Sequence, residues 1–208
     1  MQNMDIKFFY RRNLPHFQKE YSSYFMTFRL YGSLPTFLLN RLKNEYLLNK
    51  KMIVDSEDKL SQSKKIYELQ KKYFGKFDNY LDRSLSAMNY LIDDRIAEST
   101  SSALHFLDGK DYELISYCIM PNHVHALITV ERFLKPLYKT MQSIKRFSSR
   151  ESNKILQRSG AFWNPENYDH IVRSQEEYEK IIKYIFNNPV KSNLVARSED
   201  WKWSYLKG

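Results

Sequence analysis

Hydrophobic and polar residues follow two different periods along this chain, and the two periods predict both strands and helices. The run YFMTFRLY at 24–31 is dense in strand-forming residues and stops at a Gly-Ser pair, which predicts a strand. Apolar residues recur at helical spacing over 34–50, and helices are also predicted over 85–106 and 135–156. The chain therefore mixes the two kinds of element.

A hairpin is predicted in the second half of the chain. The runs YELISYCIM and HVHALITV are rich in strand formers and are separated only by Pro121 and Asn122, which is typical of two antiparallel strands joined by a turn. Residues 160–173 and the basic, aromatic residues 1–20 lack such a pattern, and we interpret both as irregular. The fold class is α+β, an antiparallel sheet with helices packed on it.

A capping signal opens the last predicted helix. The Ser174 side chain can accept from the amide of Glu177, whose carboxylate can reach back. We expect this helix to end near Asn187, because Pro189 disfavours helical geometry in the residue before it. Its apolar stripe has the spacing i, i+3, i+4, i+7, at Tyr178, Ile181, Ile182 and Ile185.

Length and composition narrow the class of protein. The chain has 208 residues, of which 42% are hydrophobic, and we interpret it as a single domain over 1–208 with a charged, partly helical insertion at about 51–83. One cysteine, Cys118, cannot form an internal disulfide. No segment resembles a signal peptide or approaches the roughly 20 apolar residues of a membrane helix. We expect a cytoplasmic protein with no membrane partner.

Two histidines stand out in the second strand of the hairpin. Alternation along a strand puts His123 and His125 on one side, roughly 7 Å apart, with Val124 facing a core. Two neutral imidazoles could bind a divalent cation if a third ligand approached from another element. On this motif alone, a pair of hydrogen-bonded histidines without a metal is the commoner case.

The last helix offers further candidates. Tyr184 and Asn188 are spaced i, i+4 and lie on one shoulder of the helix, beside its apolar stripe. A side chain there can lean over a sheet surface. By themselves, the two could equally be a half-exposed tyrosine and an ordinary helix-end asparagine.

Taken together, these residues resemble the single-tyrosine HUH transposases of the IS200-like superfamily, in their REP-associated tyrosine transposase form (HUH stands for His, hydrophobe, His). The resemblance covers most of the chain outside 51–83. It is carried by YFMTFRLYGSLP at 24–35, MPNHVHAL at 120–127, FWNPENYDHIVR at 162–173, YIFNNPVKSNLV at 184–195 and WKWSY at 201–205.

The resemblance implies a fold, a site and a reaction. The fold would be a ferredoxin-like or RRM-like palm with the HUH motif on its central strand. His123, His125 and Asn188 would hold Mg²⁺ or Mn²⁺, and Tyr184 would be the nucleophile that cuts single-stranded DNA near hairpins through a 5′-phosphotyrosine intermediate. The protein would act as a monomer or homodimer.

The charge of the chain bears on its partner. A formal net charge of +9 favours a polyanion. Two other functions stay open: a domesticated relative that binds structured single-stranded DNA or RNA without cutting it, and a metallohydrolase, which is disfavoured because no carboxylate base is obvious. For each candidate phosphate contact a merely solvated basic face is at least as common; the candidates are Lys139, Lys145, Arg146, Arg150 and Arg173.

Overall fold

The computed structural model describes residues 6–11, 15–56, 58–84 and 88–208. It divides into two compact units, one formed by 1–31 with 88–208 and the other by 32–87. The predicted charged insertion at 51–83 lies in the smaller unit. The interpretation of 1–208 as a single domain stays a prediction.

The described residues form strands, helices and two short 3-10 turns, at Tyr90–Ile92 and Ser198–Asp200. In chain order the strands and α-helices are β1 (Ile6–Arg11), β2 (Pro15–Lys19), β3 (Ser22–Leu30), α1 (Thr36–Ser56), α2 (Lys59–Arg83), α3 (Asp94–Leu107), β4 (Glu113–Ile119), β5 (His123–Val130), α4 (Leu137–Ile155), β6 (Trp163–Ile171), α5 (Gln175–Lys191) and β7 (Ser204–Leu206).

Five strands of the larger unit form one antiparallel sheet in the order β6-β3-β5-β4-β7. Its first four strands alternate with helices along the chain as β3-α3-β4-β5-α4-β6, which is the βαββαβ arrangement of a ferredoxin-like fold. The strand with the two histidines, β5, lies at the centre. The predicted α+β fold, its hairpin and the central position of the histidine motif are confirmed.

One face of this sheet carries the hydrophobic core. Met26 and Phe28 of β3 alternate with residues of the other face, and Val124 of β5 is fully buried on the core side as predicted. Helices α3 and α4 cover this face with apolar stripes that include Leu104 and Met141. The Trp163 indole packs in the same core, where its N–H donates to Ser148 Oγ at 2.8 Å.

The smaller unit contains α1 and α2, which pack against each other. The Tyr46 and Tyr73 rings meet with centroids 5.2 Å apart, and Gln62 Nε2 donates to the Val54 carbonyl at 3.1 Å. The helix predicted over 34–50 is present as α1 and runs further, to Ser56.

Two segments that we predicted to be irregular are strands. Residues 163–171 form β6 and pair with β3, and described residues within 1–20 form the β1–β2 hairpin; residues 1–5 and 12–14 lie outside the described residues. Strand β6 lies at the edge of its sheet, where Pro165 is tolerated because one side of the strand has no ladder to complete. An edge strand with one polar side chain after another has no apolar alternation to detect.

Two helix boundaries also differ from the prediction. Helix α3 begins at Asp94, well after residue 85, because the Asp93 side chain caps it by accepting from the Arg95 amide at 3.0 Å; residues 85–87 lie outside the described residues. In α5, Pro189 lies inside the helix, which runs to Lys191.

Helix α5 continues past its proline because the following amides complete its ladder. Ser192 N donates to the Asn188 carbonyl at 3.0 Å, and Leu194 N donates to the Pro189 carbonyl at 2.9 Å. The proline ring itself has a helical φ, and its missing N–H removes only the bond to the Ile185 carbonyl. Among the described residues, no helix is long and apolar enough to cross a membrane.

Candidate active site

The second face of the five-stranded sheet is polar where β3 and β5 meet. In the β3–β5 register, His125 lies opposite Thr27 and His123 lies opposite Arg29, so all four side chains share this face. His123 is 1% exposed, His125 0% and Arg29 7%. Buried groups of this polarity require partners.

Each histidine is anchored through its Nδ1 atom. Asn122 Oδ1 lies 2.6 Å from His123 Nδ1, and Thr27 Oγ1 lies 2.7 Å from His125 Nδ1. Because an amide oxygen can only accept, His123 Nδ1 carries the hydrogen and its Nε2 presents a lone pair. The Thr27 hydroxyl can accept from His125 in the same way. Such anchors fix the ring orientation that a metal-ligating histidine needs.

The two Nε2 atoms point at each other and lie 3.0 Å apart. Two facing lone pairs at this distance repel unless a proton or a cation lies between them. Nitrogens bound at about 2.1 Å, and at a right angle, to one octahedral cation would be about 3.0 Å apart. The pair therefore fits neighbouring ligand positions on a divalent cation.

Helix α5 lies over this face, with its first turn fixed as the capping signal predicts. Glu177 N donates to Ser174 Oγ at 3.1 Å. The Glu177 carboxylate accepts from the Arg173 amide at 2.8 Å and lies 3.1 Å from His170 Nε2 on β6. These bonds tie the start of the helix to the edge of the sheet.

Tyr184 lies beside the histidine pair. Its ring centroid is 5.5 Å from that of His125 and 5.9 Å from that of Phe25, both in edge-to-face contact. The Lys191 ammonium lies 5.4 Å from the centre of the same ring. Tyr178, six residues earlier, belongs to the apolar stripe, and burial raises the pKa of its hydroxyl. Of these two tyrosines, Tyr184 is the one beside the histidines.

Asn188 follows Tyr184 by about one helical turn and is buried, with 1% of its surface exposed. Within the described part of the chain, neither its Oδ1 nor its Nδ2 has a hydrogen-bond partner. A buried amide without partners is costly and rare in folded proteins. An amide oxygen is a suitable ligand for a hard cation, so Asn188 fits the role of a third ligand.

The predicted phosphate contacts have different environments. Lys139 and Arg146 are exposed on α4, and Arg173 is exposed just before α5. Arg150 is exposed and pairs with Glu151 at 2.8 Å. Lys145 is half-buried, and its ammonium donates at 2.9–3.3 Å to three carbonyls of β6, those of Asn164, Pro165 and Glu166.

Several residues of the site were missed at the sequence level. Thr27 and Arg29 enter it only through the β3–β5 register, which the sequence does not reveal. Lys191 lies seven residues after Tyr184, a spacing that returns to the same helix face and could have indicated it. Asn122 immediately precedes the first histidine, and we assigned it only to the turn.

Comparison with known proteins shows which family this chain resembles. A protein-family model described as "Transposase IS200 like" matches residues 88–188, which include both histidines, Tyr184 and Asn188. A Haemophilus influenzae protein whose name assigns it provisionally to the REP-associated tyrosine transposases is 26% identical over 121 residues, covering 53% of this chain and 68% of that protein. The chain therefore resembles the IS200-like transposases over 88–188, which is just under half of its length.

The more particular resemblance is to the REP-associated tyrosine transposases. The Escherichia coli K12 protein of that name is 25% identical over 96 residues, which cover 46% of this chain and 54% of the relative. A solved structure of such a transposase bound to a REP hairpin overlays with a TM-score of 0.49 at 15% identity, covering 94% of this chain and 80% of that chain.

Proposed function

We propose that this protein is a metal-dependent single-stranded DNA endonuclease and strand transferase that cuts near DNA hairpins, with Tyr184 as its nucleophile. The observation that carries the proposal is the edge contact between the Tyr184 and His125 rings, at a centroid distance of 5.5 Å. It brings a phenol next to a histidine pair whose Nε2 atoms are 3.0 Å apart.

The covalent step follows from the chemistry of a tyrosine hydroxyl. Tyr184 Oη attacks the phosphorus of a phosphodiester in line and loses its proton, while the 3′-oxygen departs with a proton as a free hydroxyl. The product is a 5′-phosphotyrosine. Because the new bond is itself a phosphodiester, a second DNA 3′-hydroxyl can attack it, release the tyrosine and join strands.

His123, His125 and Asn188 would hold the divalent cation, Mg²⁺ or Mn²⁺. When bound, such a cation polarises the scissile phosphate and neutralises charge that develops in the transition state. The protein's own contribution is orientation, since the Asn122 and Thr27 bonds keep both Nε2 atoms directed at one point. The orphaned amide of Asn188 supports this assignment.

The net charge of +9 supports a polyanionic substrate, and the names of the relatives, which call them REP-associated transposases, support DNA as that substrate. Lys139, Arg146, Arg150 and Arg173 are proposed phosphate contacts. For Lys145 a phosphate contact stays a prediction of the sequence; because its ammonium is held by β6 carbonyls, we propose a structural role for it instead.

The test is formation of a covalent adduct. Full-length protein is incubated with end-labelled single-stranded hairpin DNA and Mg²⁺ or Mn²⁺, then denatured. We expect a labelled protein band that is lost in Tyr184→Phe and retained in the matched control Tyr178→Phe, which alters a tyrosine of the apolar stripe on the same helix.

Other outcomes point to the other functions. Cleavage that persists in Tyr184→Phe would overturn the nucleophile and favour a hydrolase that uses water. Tight hairpin binding without cleavage in either metal would favour a domesticated binding protein for structured single-stranded DNA or RNA.

A further inference from the structure

Five of the six lysines in helix α2 of the smaller unit lie on one face. At about 100° per residue, these five fall within an arc of about 140°, and all five are exposed. We call them the basic stripe: Lys64, Lys65, Lys71, Lys72 and Lys76. The opposite arc is apolar and packs, with Leu81 1% exposed and the Tyr73 ring against Tyr46.

The lysines of the basic stripe differ in their partners. Lys71 pairs with Glu68 at 2.9 Å, and Lys76 pairs with Glu45. Exposed pairs of this kind are weak and are easily exchanged for another anion. Among the described residues, nothing pairs with Lys64 or Lys72.

A glycine lies in the middle of the basic stripe. Gly75 falls within the arc of the lysines, and a Cβ built on it would meet nothing within 4 Å. Glycine is among the least favourable residues in a helix interior, and neither sterics nor a positive φ requires it here. What glycine provides on an exposed helix face is closer approach of another backbone.

We propose that the basic stripe binds the phosphate backbone of duplex DNA, with Gly75 as the point of closest approach. The inference rests on the proposed function only in taking DNA as the substrate. The stripe spans about 18 Å, twelve residues at 1.5 Å each, and lysines bind phosphates as point charges without reading bases.

The duplex is favoured over an unpaired strand because of where the aromatic residues lie. Proteins that bind single strands stack bases on exposed rings. In α2, Tyr73 and Phe77 lie on the packed arc and stack on each other with centroids 6.5 Å apart. The ring beside the basic stripe, Tyr67, is half-buried, and the Lys71 ammonium lies 4.5 Å from its centre, so one face of this ring is already covered. A face of lysines and a glycine without an open ring suits a paired backbone.

The first test measures salt dependence. Full-length wild type and Lys64→Gln/Lys72→Gln are titrated with a blunt DNA duplex that has no hairpin, at several salt concentrations. Each lost phosphate contact lowers the slope of log K against log salt by about 0.9, so we expect the slope to fall by about 1.8. The control Lys51→Gln/Lys59→Gln removes the same charge from exposed positions outside the stripe. Equal slopes in the two variants would overturn the proposal.

The second test uses Gly75→Ala. If Gly75 has no role in binding, the variant should have a higher midpoint of thermal unfolding and unchanged DNA binding. We expect the higher midpoint together with at least threefold weaker duplex binding, while Glu68→Gln, which removes the acid within the stripe, binds more tightly. Unchanged binding by Gly75→Ala would remove the glycine from the proposal.

The partner and the underlying function are separated by further measurements. Binding of duplex RNA or of anionic lipid vesicles is measured with the same variants. If that binding depends more strongly on Lys64 and Lys72 than binding of duplex DNA does, the assignment to DNA is overturned. The adduct assay of Tyr184 decides the proposed function independently. If the wild type forms the adduct but the lysine variant has an unaltered salt slope, only the proposal for the basic stripe is overturned. If the slope changes but no adduct forms, only the proposed cleavage reaction is overturned.

Discussion

The two faces of the five-stranded sheet are built from the same strands and follow opposite rules. On one face, Met26, Phe28 and Val124 are buried among the apolar side chains of α3 and α4. On the other, Thr27 and His125 are buried too, but they are joined by a directional hydrogen bond of 2.7 Å. Adjacent residues of one strand therefore contribute to different properties of the protein.

The difference teaches what each face can tolerate. An apolar core accepts other side chains of similar volume at modest cost, because its attraction has no direction. A buried polar group without its partner costs far more than an apolar contact gains. The polar face is therefore specific in its residue types, and the apolar face only in its volumes.

The strongest test of this comparison substitutes neighbours. We expect His125→Ala to reduce adduct formation by about three orders of magnitude, because metal assistance contributes several kcal/mol to the barrier. Val124→Ala should leave adduct formation near wild type while lowering the free energy of unfolding by about 1–3 kcal/mol. Urea unfolding and the adduct assay, done below both unfolding transitions, measure the two effects. A Val124→Ala protein that is folded but as inactive as His125→Ala would break the comparison.

A second test concerns the orphaned amide. Because Asn188 has a buried, unpaired side chain among the described residues, we expect Asn188→Leu to stabilise the apoprotein by about 1 kcal/mol and to weaken Mn²⁺ binding at least tenfold. Urea unfolding with a chelator and calorimetric Mn²⁺ titration measure the two.

The neighbouring Asn187 is the control for that change. Its Oδ1 accepts from Ser198 Oγ at 2.8 Å, so Asn187→Ala should lose about 1 kcal/mol of stability and keep its Mn²⁺ affinity. If Asn188→Leu destabilised the apoprotein instead, Asn188 would be a structural residue.

The smallest expected effects separate two adjacent residues of α4. Lys145→Gln loses three bonds to β6 carbonyls and should lower the free energy of unfolding by about 1–2 kcal/mol, with little change in the salt dependence of hairpin binding. Arg146→Gln should do the reverse, lowering the salt slope by about 0.9. If the salt slope changed only in Lys145→Gln, Lys145 would be assigned to the DNA-binding surface after all.

The elements that could be predicted from sequence are those with a strong local signal. The hairpin before β5 follows from two strand-forming runs around Pro121, and the start of α5 follows from Ser174 and Glu177. Both signals lie within a few residues of the feature they specify. The histidine pair and Tyr184 were found because side-chain direction is periodic in strands and helices.

What could not be predicted depends on partners distant in the chain. Strand β6 owes its conformation to pairing with β3, some 140 residues earlier, because its own polar run with Pro165 has no strand pattern. The bond from Thr27 to His125 requires the β3–β5 register. The predicted end of α5 was wrong because the prediction considered only the effect of Pro189 on the residue before it. The helical hydrogen bonds after Pro189 are made by amides further along the chain.

The Nδ1 bonds of the two histidines have a consequence for how the site would be loaded. Both rings already lose their rotational freedom when the protein folds, so binding a cation does not incur that entropy cost a second time. Association would then be limited by the loss of water from the ion. The two histidines would form a preorganised pair of ligands before the cation binds.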